Sequence, residues 1–419
     1  MIKKSKLFTD VLVLGSGPSG FAAAYSAAKC GAKVIIVEQG GDVGGISTSG
    51  LMSHWTGSCK SPLYSEILRR SSEKNEGAFK NRIVTTIDPE KLKTLYLEML
   101  CEVGCRIMLY TFATDSICDG DKVLGATVVN KSGMTDIYAK ITVDATGDGD
   151  IAASAGAEFI LGRESDNKMQ PATLMFKVAG VDYEKAAFIG SFETTYQTEK
   201  GELQTLAKQH ISSPAGHILT YATTLPGVVT CNMTNATDID GTNEEDLTKA
   251  TITCRKQMDE IVKYLREFVP GYENCFIISS ASLIGVRETR HFKGKYTLTE
   301  QDVAEARLFD DYVVKDAYFN FDVHNITGAG LDKTGVQHKF TQKNGYTIPY
   351  GCLLPEVKKN LLLCGRNISG THMAHSNFRA MPICVGIGEA AGTAAAIAAL
   401  NGTELDSIKP EEIRERIGI

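Results

Sequence analysis

The sequence predicts an α/β fold: a parallel sheet covered by helices on both faces, with an inserted α+β segment. Three observations predict it. Residues 9–14 are a mostly apolar run that ends in a glycine turn and opens an alanine-rich helix. A second apolar run, "KVIIVEQ", follows that helix. A third, Asn360 to Cys364, returns late in the chain ahead of a final helix. Apolar strands separated by helices belong to sheets buried on both faces.

The elements follow in order. The first helix, "FAAAYSAAKCGAK", ends at Gly31, and the second strand ends at Glu38. "DPEKLKTLYLEMLCEVG" has apolar residues at 92, 95, 96, 99, 100 and 103, a helical face. Asp119–Gly120 and Ser132–Gly133 are turn signals, which predict a three-stranded meander. It returns to an apolar strand, Ile141 to Ala145. From about residue 165 the chain becomes more polar. "ATLMFKVAGVD" reads as a strand, with helices expected near 243–267 and 300–315. We assign residues 165–335 to the insertion, and 1–164 with 336–419 to one discontinuous domain. "MPICVGIGEAAGTAAAIAALNG" supplies the final helix.

Bulk properties limit the function classes. The 419 residues suffice for two or three cores. A net charge of -6 argues against a general nucleic-acid or membrane-surface binder. No apolar run is read as reaching the roughly 18–20 residues of a membrane span. "MIKKSKLFTD" has no secretory apolar core. The 11 cysteines are scattered singles, and "CEVGC" is neither a redox nor a zinc spacing. The expectation is a cytoplasmic protein with no nucleic-acid, membrane or metal partner.

In "GSGPSG", Gly15, Gly17 and Gly20 fit G-x-G-x-x-G between a strand and a helix. Gly15 permits the tight turn, Gly17 the approach of a pyrophosphate, and Gly20 close helix–strand packing. Pro18 suits a first helical turn, and the N–H groups around Ser19 with the helix dipole favour a phosphate. Glu38 stands 18 residues after Gly20, where a carboxylate accepts from an adenosine ribose. It would repel a 2′-phosphate, which argues against NADP. Gln39 adjoins that position. The segment is therefore read as a Rossmann-like dinucleotide site.

Three features favour FAD over NAD. "GGDVGGISTSG" (Gly40 to Gly50) lets backbone approach a flat ring. "VDATGDGD" (Val143 to Asp150) ends a buried strand in small residues beside a cofactor. In the final helix, Pro382 stands at the expected first position. Met381 before it has no oxygen to cap the N–H groups of Ile383 and Cys384. A flavin carbonyl would accept from them and gain from the dipole.

With "GSGPSG", Glu38, "GGISTSG", "ATGDGDIAASAGAE", "IGVRETRHFKGKYTLTEQDV" and "NLLLCGRNISGTHMAHSNFRAMPICVGIGEAAGTAAA", nearly the whole chain resembles one family. It resembles FAD-dependent oxidoreductases of glutathione-reductase type, nearest to single-module bacterial flavoproteins related to fumarate-reductase-like ones. The resemblance implies one FAD domain around an inserted substrate domain. It places Gly15, Gly17 and Gly20 on the pyrophosphate and Glu38 on the ribose. It places Gly45, Ser47 and Thr48 beside the flavin, and Thr146, Gly147 and Asp148 near the adenine–phosphate half. Gly365 and Arg366 would close on the pyrophosphate or ribityl chain. Disulfide-reductase relatives often carry an acid where Arg366 stands. No second G-x-G-x-x-G follows a strand, no Cys-x4-Cys lies near residue 45, and no histidyl-flavin motif surrounds "HSNFRAMP". FAD is expected to be non-covalent, without a nicotinamide domain.

Candidates for the substrate side are His372, His375 and Arg379, just before the final helix, and Arg287 with Glu288 and Arg290. A histidine there can move a proton, and an arginine can hold a carboxylate. Each also suits a structural role, which leads for the Arg287 cluster: an ion-pair network for its arginines, an ion pair for Arg379 and backbone hydrogen bonds for the histidines. His54 and Trp55 could stack on a ring or fill an interface. The expected function is hydride transfer between flavin N5 and a small organic, anionic substrate, with a separate electron donor or acceptor. The alternatives are a fumarate-reductase-like reductase of an activated C=C bond and an electron-transfer subunit. A homo-oligomer is a further expectation.

Overall fold

The first strand, Lys4–Leu14, ends in four fully buried apolar residues, Val11 to Leu14. Such a strand has to lie inside a sheet. In the computed structural model, which describes residues 4–74, 84–332 and 341–419, it lies between two partners of a seven-stranded sheet. Val34–Val37 pairs with it on one side and Arg106–Met108 follows, both parallel. On its other side runs Gly133–Asp144, parallel from Lys4↔Met134 to Leu14↔Asp144. Phe112–Asp119 and Lys122–Asn130 complete the meander in antiparallel pairing.

The last meander strand departs from expectation. Ile141 to Asp144 is not a separate element but the end of one 12-residue strand, and Ala145 lies just beyond it. Pairing with the first strand continues along its length and keeps it one element. Its early residues pair antiparallel with Lys122–Asn130, and Thr142 to Asp144 pair parallel with Leu361–Leu363. The end of the chain is thus built into the first sheet.

The first helix, Pro18–Lys29, and the closing helix, Met381–Asn401, pack at close quarters. A Cβ on Gly388 would fall 2.1 Å from the Ser19 carbonyl oxygen, and one on Gly392 2.0 Å from that of Ala23. Small residues permit this approach. The closing helix corrects the count of apolar runs. Its 21 residues, with a mean hydropathy of 1.7 over their most apolar 18, are long and apolar enough to cross a membrane. Its glycines, threonine and Glu389 break the run by eye. Burial of 94% of that stretch inside the fold accounts for its composition. Glu389 is held there by the Ser61 hydroxyl at 2.6 Å and the Leu63 N–H at 3.0 Å.

A second core gathers apolar residues from Ala172 to Ala281, with Leu51. Its antiparallel sheet has the order Thr220–Ala222, Val229–Cys231, Phe176–Ala179, Phe276–Ser280. The 25-residue helix Glu244–Phe268, capped by Asn243, joins it. Only Phe176–Ala179 of "ATLMFKVAGVD" is strand. The helix expected over 300–315 is also corrected. It stops at Ala304, Ala306 turns left-handed at φ 55°, and Tyr312–Tyr318 is a strand paired with Tyr346–Pro349 and Ser58–Lys60. Phe292, Leu298, Val303, Val313 and Val314 pack in the first core. The chain therefore rejoins the first core near residue 290. The expected boundary between 335 and 336 lies outside the described residues.

Candidate functional site

A cleft of about 370 Å³ begins at the glycine turn and reaches the start of the closing helix. Gly15, Ser16, Gly17, Pro18 and Ser19 line its first end. Gly15 has φ 86°, and a Cβ there would lie 2.4 Å from the Ala145 carbonyl oxygen, so glycine is required by the fold. Gly17 differs: nothing lies within 4 Å of its Cβ position. Gly17 is the N-cap of the first helix and makes no side-chain cap, so unsatisfied N–H groups and the positive end of the dipole are left at the cleft. Gly20 does not line the cleft; its Cβ position lies 2.1 Å from the Gly15 carbonyl oxygen, a packing role.

Glu38 and Gln39 line the same end. Glu38 Oε2 accepts from the Ser16 N–H at 3.0 Å and hydroxyl at 2.6 Å, and Oε1 accepts from the Gly40 N–H at 2.8 Å. The carboxylate is fixed against the turn, and Oε1 keeps acceptor capacity for a ribose hydroxyl.

Thr146, Gly147, Asp148 and Arg366 line the middle. Arg366 donates to Asp148 Oδ1 at 2.6 Å, and the Thr289 hydroxyl donates to the same oxygen at 2.8 Å. Gly147, at φ 87°, has its Cβ position 2.3 Å from an Arg366 guanidinium nitrogen. Arg366 Nε is buried without a partner. Below them, Asp144 accepts from Thr146 and Ala152, yet burial pushes its carboxyl up to about 6. Gly45 lines the cleft, but Ser47 and Thr48 do not. Their hydroxyls are spent on the carbonyls of Gly44 at 2.6 Å and Val43 at 2.8 Å. Gly365 is likewise off the cleft, at φ 98° with its Cβ position 2.3 Å from Ser19 Oγ.

At the far end, Ala380, Met381 and Cys384 line the cleft. The N-cap is Ala380 rather than Met381, and it too makes no side-chain cap. The Cys384 N–H is already satisfied by the Ala380 carbonyl at 2.9 Å, so the donors left to match belong to the positions before it. Pro382 and Ile383 are buried in the packing and do not line the cleft.

Arg287, Asp322, His324 and Arg379 converge here. Arg379 donates to Asp322 Oδ2 at 2.9 Å and to its carbonyl at 2.8 Å, while its Nε is buried without a partner. His324 Nε2 lies 3.3 Å from the same carboxylate. Arg287 donates to the Pro171 carbonyl at 2.5 Å and has no ion pair among the described residues. Desolvation, then the Arg379 charge, pushes Arg287 down to about 10. Desolvation and Arg287 push His324 down to about 4, so it is neutral. Two guanidinium charges thus face one carboxylate, an excess of positive charge. Asp322 and His324 were missed in the sequence. "FDVHN" matches no motif, and its i, i+2 spacing in an unassigned loop was the only signal.

His372 and His375 are not among the residues lining this cleft. His372 Nδ1 lies 2.5 Å from Glu288 Oε1, away from it. Arg290 is a structural tie, donating to the Asp148 carbonyl and the Asp150 carboxylate. Trp55 is fully buried against Tyr64, while His54 stacks on Tyr221 with centroids 4.1 Å apart.

A glycine cradle with an acid beside it, two uncapped helix starts and buried guanidinium nitrogens without partners fit a long ligand. It would be anionic in the middle, with a ribose at one end and a polar ring at the other.

Known proteins agree. The family described as FAD dependent oxidoreductase matches residues 10–417. A digeranylgeranylglycerophospholipid reductase of Picrophilus torridus is 27% identical over 33% of this chain and 39% of its own. A thiamine thiazole synthase of Methanococcus aeolicus is 31% identical over 34% of this chain and 56% of its own. The chain thus spans about half the length of these relatives or less. Among solved structures, a geranylgeranyl bacteriochlorophyll reductase-like protein of Thermoplasma acidophilum aligns with a TM-score of 0.51 at 15% identity. That alignment covers 98% of this chain and 83% of the other. The p-nitrophenol 4-monooxygenase of Pseudomonas putida aligns at 0.52 and 12%, over 99% and 85%. At these identities the structures speak for the fold.

Proposed function

We propose a reaction from one premise: the chain belongs to the FAD dependent oxidoreductase family, and is an enzyme whose cofactor is FAD. Bound FAD supplies hydride exchange at its ring N5. Gly17 and the first helix would hold the pyrophosphate, Glu38 the ribose, and the start of the closing helix the ring. The finer reading is a hydride exchange with a small substrate carrying a carboxylate or similar anion, in a non-covalent FAD site of glutathione-reductase type.

One observation carries it: the charge imbalance of Arg287 and Arg379 against Asp322, beside Ala380, Met381 and Cys384. Arg379 is oriented by Asp322 with Nε still unmatched, and Arg287 has only a backbone acceptor. A substrate carboxylate would complete both, and enclosure strengthens each charge-assisted bond. A soluble cytoplasmic enzyme exchanging electrons with a separate partner fits this reading.

A second reading is favoured by Arg287 itself. Its pKa of about 10 makes it a better proton donor than an ordinary arginine, which suits reduction of an activated C=C bond.

The test is spectroscopic. Purified protein should carry flavin absorbance that denaturation releases. The reduced protein should be reoxidised by one class of unsaturated or oxo carboxylic acids within a panel that includes their neutral esters. Arg379→Ala should raise KM for the acid roughly 10–100-fold and leave that for the ester unchanged. Equal use of acid and ester would remove the anion reading. Unchanged turnover in Arg287→Lys would remove the proton-donor reading.

A further inference from the structure

Behind the cleft is a second group of polar side chains that the reaction does not use. Glu288 is fully buried, and His291, His372 and His375 are at most 8% exposed. Glu288 has no Lys or Arg ion pair among the described residues. Its Oε2 accepts from the Gln170 N–H at 3.0 Å. Its Oε1 faces two imidazole nitrogens: His291 Nε2 at 2.7 Å and His372 Nδ1 at 2.5 Å. One ligand-capable atom each from Glu288, His291 and His375 lies within 4.8 Å of the others.

Donor counting shows what is missing. His291 Nδ1 lies 3.2 Å from the Gly370 carbonyl oxygen and its Nε2 2.7 Å from Glu288 Oε1, and both oxygens accept, so the single N–H of a neutral ring cannot serve both. With the hydrogen on Nδ1, the Nε2 lone pair points at a carboxylate oxygen. A metal cation bound to both atoms, off the line that joins them, turns that repulsion into two bonds. A ligating histidine that donates its other N–H to a backbone carbonyl is the usual supporting arrangement of metal sites. His375 supplies the independent sign: its Nδ1 is buried with no hydrogen-bond partner. Its ring lies 5.0 Å from that of His291.

We propose that Glu288, His291 and His375 form a divalent transition-metal site of the zinc class. Two imidazoles and one carboxylate are a borderline-soft set that suits Zn²⁺, with ligand bonds of about 2.0–2.2 Å. His372 is the positioning residue that holds the Glu288 carboxylate. A separate pocket of about 300 Å³ reaches the group from the side of His291 and His372. The ion pins the strand Arg290–Phe292 to the helix His372–Phe378, where the chain rejoins the first core. The Glu288/His291 and His372/His375 pairs each have an i, i+3 spacing, but they are far apart in sequence. No single-segment metal motif exists to be read.

The experiment uses the intact flavoprotein, stripped with a chelator and titrated with Zn²⁺ and, separately, Co²⁺. The expected result is one metal per chain, and with Co²⁺ a ligand-field band at longer wavelength than the oxidised flavin bands. FAD content should be unchanged. His375→Ala breaks no hydrogen bond of its Nδ1, and should weaken metal binding at least 100-fold while keeping FAD. His372→Ala should weaken it roughly 10–100-fold, the range for supporting partners. Failure of the wild-type protein to bind either metal stoichiometrically would overturn the proposal and leave a buried Glu288–imidazolium pair. So would metal binding undiminished in both His375→Ala and Glu288→Gln. The readout is independent of turnover, so it stands or falls apart from the flavin reaction.

Discussion

At the scale of the residue, the three motif glycines do different work. Gly15 and Gly20 are excluded from bearing a side chain by backbone atoms of the protein, at 2.4 and 2.1 Å from their Cβ positions. Gly17 faces only the cleft. Gly17→Ala should therefore leave the melting temperature of the FAD-free protein within about 1 °C of wild type and weaken FAD binding at least 10-fold, the methyl standing where phosphate approaches. Gly15→Ala and Gly20→Ala should each destabilise the FAD-free protein by about 2 kcal/mol or more. Melting curves with and without FAD separate the two effects. Equal loss of stability in all three variants would refute the division. The motif made the glycines legible in the sequence but could not divide these roles. The role of Gly15 depends on Ala145, 130 residues further along the chain. The substrate side was less legible still. Arg287 and Arg379 were found by their charge, whereas Asp322 and His324 have meaning only through what the fold brings next to them.

At the scale of the element, the closing helix joins stability to cofactor binding. Gly388 and Gly392 let its backbone touch that of the first helix, at Ser19 and Ala23. Ser19 lines the cleft, so a displaced closing helix also displaces the phosphate end. Gly388→Ala should lower stability by about 3 kcal/mol, since overpacking here meets rigid backbone. It should also weaken FAD binding, although residue 388 does not touch the cleft. Thermal melts of the FAD-free variant and FAD titration test both parts. An alanine variant with wild-type melting would show that the helices have slack. The sequence showed the helix because its apolar residues are dense, and hid its span because glycines and Glu389 interrupt them. The meander was legible from its turns. The continuity of Gly133–Asp144 was not, because it is imposed by pairing with the first strand. Over 300–315 the expected helix forms only its first part, capped by Thr299 and ending at Ala304.

At the scale of the molecule, burial of neutral histidines sets a pH limit. His54 is held down to about 4 by desolvation. His217 is held to about 3, again mainly by desolvation, and His324 to about 4. They belong to separate segments and meet around the second core and its cleft. His54 stacks on Tyr221, and Phe192 packs against the rings of both His217 and His324. Each folded value lies below the ordinary 6.5. The unfolded chain therefore takes up a proton that the folded chain refuses. The stability this represents is complete above pH 6.5 and is lost as pH falls toward the folded values. At pH 5 each histidine costs roughly 2 kcal/mol relative to pH 8, less for the partly exposed His54. Asp144 acts in the opposite sense. Its carboxyl, raised to about 6, penalises the fold at neutral pH and is relieved on acidification, by about 1 kcal/mol at pH 5. The histidines outweigh it, so the melting temperature should fall by roughly 5 °C between pH 7 and pH 5. His54→Phe keeps a flat ring against Tyr221 and removes one titration, and should shorten that fall by up to a third. A melting temperature independent of pH over this range would mean that the three rings are hydrated in solution and that the second core is open where the structure closes it.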